Sequence, residues 1–73
     1  MILTMSWKKM KLISEHWGEN RKAEIYDNGE CFVVRLIEKE NIIEDREMVT
    51  NGTIHSMRYA EDAAENWCLG YMA

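Results

Sequence analysis

Two histidines, two cysteines and a short acidic stretch are the side chains of this 73-residue chain that could do chemistry. His16 and His55, with Glu15 or Asp62, are the donor types of a metal site. No HxH or HxxxH spacing joins the histidines, and they fall in different expected elements, so they are read as solvated or core-edge residues. Glu61, Asp62 and Glu65 would lie on one helical face, where two carboxylates can hold a cation or share acid–base work. The same pattern describes a solvated face on which Arg58 pairs with Glu61 and Asp62, and that is the expectation. Cys31 and Cys68 sit among apolar residues, with no neighbouring histidine or cationic cluster to lower a thiol pKa. They read as small core hydrophobes. No GxSxG nucleophile motif is present, and the four glycines are scattered singly, so no loop cradles a phosphate. The expectation is a non-enzymatic protein with no metal and no cofactor.

One further group carries binding chemistry. Trp7, Trp17 and Tyr26 alternate with Lys9, Lys11, Arg21 and Lys22 in the first part of the chain. Aromatics interleaved with cations on a sheet can stack and clamp single-stranded nucleic acid. Cross-strand packing under amphipathic side chains explains the same residues. The net charge of -4 and pI of about 5.1 weigh against a phosphate partner, so nucleic acid is kept as the alternative function.

These side chains need elements to position them. Residues 31–37, Cys-Phe-Val-Val-Arg-Leu-Ile, are apolar at six of seven positions. Such a run reads as a central strand. Residues 10–17 alternate loosely, and residues 21–26 alternate cleanly, with Ala23 and Ile25 on one face. Gly18-Glu19-Asn20 is expected to turn by adopting positive φ, and Asp27-Asn28-Gly29 to form an Asn-Gly hairpin. Residues 42–50 read as one further strand, charged in the middle and ended by Asn51-Gly52. Ser56 is placed to cap a helix. Met57, Ala60, Ala63, Ala64, Trp67, Cys68 and Tyr71 share its apolar face, and Gly70 stops it. The predicted fold is α+β: an antiparallel β-meander of three or four strands, then one C-terminal helix packed on one sheet face. Residues 10–73 form this single domain, and residues 1–9 a variable N-terminal extension.

One helix covers one face. Cys31, Val33 and Ile37 lie opposite Phe32, Val34 and Leu36, which leaves an apolar row in need of cover. A chain this short also buries only roughly 60% of its unfolded surface. That apolar row must meet the N-terminal segment, a second subunit or water; a second subunit is favoured, which makes a homodimer or another protein partner the expectation, with Cys31, Val33, Ile37, Leu69 and Trp17 as interface residues; Leu69 enters because it projects from the polar side of the helix. No run approaches the roughly 20 apolar residues of a membrane span. Residues 1–5 do not read as a signal peptide, and two separated cysteines do not make a disulfide framework. A cytoplasmic location is expected.

Residues 55–67, His-Ser-Met-Arg-Tyr-Ala-Glu-Asp-Ala-Ala-Glu-Asn-Trp, with Leu69-Gly70 after them, resemble the C-terminal signature of small proteins encoded by T4-like marine cyanophages. The upstream hairpin, with Val33, Arg35, Ile43, Glu44 and Arg46, is similar in character. The resemblance covers residues 10–72. It implies an accessory phage product in a host cytoplasm, acting by binding a host protein, and it carries over no catalytic residue.

Overall fold

The computed structural model describes residues 10–71. The expected extension at residues 1–9 lies outside the described residues. Strands β1 (Lys11–Trp17), β2 (Arg21–Asp27), β3 (Phe32–Glu38) and β4 (Asn41–Glu47) form one antiparallel sheet in the order β1-β2-β3-β4. Helix α1 (Met57–Leu69) packs across one face. The expected α+β meander with a C-terminal helix is the fold, and it has the fuller complement of four strands.

Alternation decides the faces. Ala23 and Ile25 of β2 stand beside Leu36 and Val34 of β3 in the ladder, and all four are buried under the helix. Ala60, Ala64 and Trp67 press down from α1, with Met57, Ala63 and Cys68 half-buried at their flanks. Small side chains at positions 60 and 64 bring the helix close to the sheet. The indole fills the remaining depth, and its Nε1 donates to the carbonyls of Lys22 and Ile37, 3.1 Å from each. The polar end of the largest core side chain is therefore satisfied inside the fold. Ser56 caps the helix, its Oγ accepting from the Tyr59 amide. Gly70, in the left-handed region at φ 86°, closes the other end. Tyr71, expected on the apolar face, lies past this stop and is exposed.

Two turns differ from expectation. Gly18 has no positive φ; it is needed because a Cβ there would run into the Cys68 carbonyl of the helix end. Asp27 pairs with Phe32, so the loop at Asn28-Gly29 holds four residues rather than two. Asn28 folds it by accepting from the amides of Glu30 and Cys31 through its side-chain oxygen. The two-residue turn is instead Lys39-Glu40, where both residues are left-handed, at φ 51° and 70°.

The expected strand over residues 42–50 is also broken. β4 ends at Glu47, and Met48 turns inward to a buried position in the core. Its amide donates to the Phe32 carbonyl at 2.8 Å. The chain then forms a short ribbon, β5 (Val49–Thr50) and β6 (Thr53–Ile54), around Asn51-Gly52. The apolar Met48 won over continued alternation because the core offered it burial.

Strands lie about 4.8 Å apart and a helix is about 10 Å across, so one helix cannot roof four strands. α1 sits over β2 and β3 and reaches β1, while β4 falls outside its footprint. Two surfaces result: the open face of the sheet, and a cleft beside the helix above β4.

Candidate functional site

The open face is built in three cross-strand rows, set by the register of the ladders. At one end Trp17, Lys22, Ile37 and Ile42 stand side by side. The middle row is Glu15, Glu24, Arg35 and Asp45. At the other end come Leu12, Tyr26, Val33 and Glu47. Apolar side chains thus flank a charged bar.

The bar is internally satisfied. Arg35 holds Asp45 by two hydrogen bonds, Nε to Oδ1 at 2.8 Å and Nη2 to Oδ2 at 3.1 Å. Lys22 reaches Glu24 at 3.0 Å and Glu15 at 3.8 Å. Tyr26 donates its hydroxyl to Glu24 at 2.7 Å. The same cations lie over aromatic rings: Lys22 is 4.2 Å from the Trp17 centroid and Arg35 is 5.1 Å from that of Tyr26. The bond from Tyr26, then Lys22, holds the Glu24 carboxyl below its ordinary value. In return Glu24 raises the Tyr26 phenol, and Asp45 raises the Arg35 guanidinium.

Burial sorts the five expected interface residues. Val33 is 3% exposed and Cys31 is also buried within the single chain, while Ile37 is half-buried. Trp17 and Leu69 are the open ones, at 70% and 59%. Val33 is flanked across the strands by Tyr26 and Glu47, side chains long enough to lie over it. The exposed apolar surface of this face is therefore carried by Trp17, Ile42 and Leu12, and sequence reasoning did not name the last two. Their signal was present as apolar positions at the strand ends, but which row they join depends on bulges at Ile13 and Ile43. Beside Trp17 the two turns meet, Lys39 donating its amide to the Asn20 carbonyl at 2.9 Å. A hollow of about 480 Å³ opens there, lined by Trp17, Ile37, Arg21 and Lys39 among others. Leu69 is set apart, on the far side of the helix end.

Trp17, Lys22 and Tyr26 of the basic and aromatic group share the open face, while Arg21 lies on the helix side of the sheet. Lys22 is engaged by carboxylates, and Arg21 lies 4.0 Å over the Trp67 ring, paired with Glu38. Among the described residues the open face bears Glu15, Glu24, Asp45 and Glu47 against Lys22 and Arg35, an acidic excess. Trp7 and Lys9 lie outside the described residues.

The reactive side chains are separated too. His16 Nε2 is 3.3 Å from Ser14 Oγ. His55 Nε2 is 2.8 Å from Thr50 Oγ1, and its ring stacks on Tyr59. Both cysteines are free. Cys68 donates to the His16 carbonyl, and burial raises its thiol pKa. Glu61, Asp62 and Glu65 are exposed on α1. Among the described residues no three His, Cys, Asp or Glu side chains gather as a metal site, and no helix is long and apolar enough to cross a membrane.

No family model, no curated protein and no solved structure matches the chain, and nothing in these comparisons links it to cyanophage proteins.

Proposed function

We propose that the chain is a small non-enzymatic protein-interaction module that works as a homodimer and holds a second protein on the open face of its sheet. The observation that carries this is Trp17, a large ring left 70% exposed at the edge of a sheet face, with exposed Ile42 in the same row. Aromatic residues of this kind anchor protein interfaces, since one ring supplies much contact area at little entropic cost. The charged bar beside it is pre-ordered by its own hydrogen bonds, so it supplies fixed polar contacts without a folding cost on binding. The phage accessory role implied by residues 55–67 fits this reading, with a host protein as the partner.

Affinity capture from host lysate tests it, using the wild-type chain, Trp17→Ala and Leu69→Asp. Capture of one defined protein by wild type, lost in Trp17→Ala and kept in Leu69→Asp, is the expected outcome. Equal capture by wild type and Trp17→Ala counts against the open face.

A further inference from the structure

Val33 and Cys31 are buried, yet both stand apart from the cluster beneath α1. The register puts Val33 on the open face, between Tyr26 and Glu47. Cys31, two residues earlier, falls on the same side by the alternation of a strand. A second apolar spot therefore lies at one end of the open face, away from the helix. The other end is open, with Trp17 70% and Ile42 59% exposed.

The chain enters the sheet at the end that holds this spot. Lys11, the first residue of β1, pairs with Asp27, and Asp27 pairs with Phe32, which stands between Cys31 and Val33. β1 and β3 are two strand spacings apart, roughly 10 Å. Four residues of extended chain span up to about 14 Å, so Trp7 comes within reach of Val33. Residues 1–9, Met-Ile-Leu-Thr-Met-Ser-Trp-Lys-Lys, lie outside the described residues, but their types complement this surface. Ile2, Leu3, Met5 and Trp7 are apolar. Lys8 and Lys9 are cationic, and no carboxylate accompanies them. The face bears Glu15, Glu24, Asp45 and Glu47 against Lys22 and Arg35 among the described residues, so it attracts a cationic segment.

We propose that residues 1–9 cross the open face of their own sheet and seal its Val33 end, with Trp7 packed over Val33 and Cys31. The indole supplies the buried area, and Lys8 and Lys9 meet the acidic side chains nearer β1. Attachment favours this occupant over a second copy, because a tethered segment meets the face at millimolar effective concentration. The Trp17 end stays free. The segment and a protein partner then divide the face between them, and neither reading depends on the other.

Nuclear Overhauser contacts in the isotopically labelled full chain decide this. The Trp7 ring should contact the Val33 methyls, at the same intensity on dilution. A mixture of labelled and unlabelled chains should show no such contact between chains. In Trp7→Ala, the Val33 signals should shift and the Cys31 thiol should react with iodoacetamide several-fold faster, while the helix signals stay in place. Sharp signals of unstructured chain from residues 1–9, with no contact to the sheet, would overturn the proposal. So would contacts found only between chains, which would mean exchange between copies, or contacts at Trp17 and Ile42 instead of Val33. Unchanged Val33 shifts and Cys31 reactivity in Trp7→Ala would overturn it as well. Capture in Trp17→Ala reports on the opposite end of the face, so the two readings fail separately.

Discussion

Glu24 shows how much one side chain can organise. It accepts from Tyr26 and from Lys22, and its carboxyl pKa falls below the ordinary 4.5. A lowered folded pKa means that the unfolded chain binds the proton more readily. The stabilisation is then fully present above about pH 4.5 and is lost as pH falls through the lower folded value. Because the site is partly exposed, solvent screening limits its size to about 0.5 kcal/mol. Urea unfolding of wild type and Glu24→Gln should differ by that amount near neutral pH and converge in acid. A difference that grows in acid would contradict the assigned network. At Trp17 the same scale predicts the opposite balance: the ring is exposed, so Trp17→Ala should leave stability within about 0.5 kcal/mol of wild type while removing capture.

At the scale of elements, two turns carry testable strain. Gly18 packs against the backbone of the helix end, and a side chain there meets a carbonyl that cannot rotate away. Gly18→Ala should cost about 1–3 kcal/mol, read as a lower urea midpoint at unchanged slope. Lys39 and Glu40 hold the left-handed conformations that Asn-Gly would adopt freely. Lys39→Asn with Glu40→Gly should therefore raise stability by about 1 kcal/mol, measured in the same way. The strands and helix were legible because their signals are periodic: Ala23 and Ile25 alternate with charge, and Ala60, Ala64 and Trp67 recur at helical spacing. The turns were not. Asn28-Gly29 looks like a two-residue hairpin, yet the Asn28 side chain stabilises a longer loop. Gly18 is required by a contact more than forty residues away, which no local pattern records. The rows of the open face were hidden for a related reason, since register and bulges, not any one strand, decide which residues stand together.

For the whole molecule, the balance between core and surface sets the function. The core is one layer of side chains between a sheet and a single helix. Burial of Val33 answers part of the expectation that the second apolar row needs a partner, because the protomer already covers that position. The remainder is unanswered among the described residues: Trp17, Ile42, Ile43, Leu12 and Ile13 are all exposed on or beside the sheet. Small domains commonly make up for a thin core by association. Sedimentation equilibrium of the full chain, run over a wide range of concentration, tests this most directly. A homodimer gives a concentration-dependent mass rising to twice 8.6 kDa. A mass that stays at 8.6 kDa throughout would contradict it.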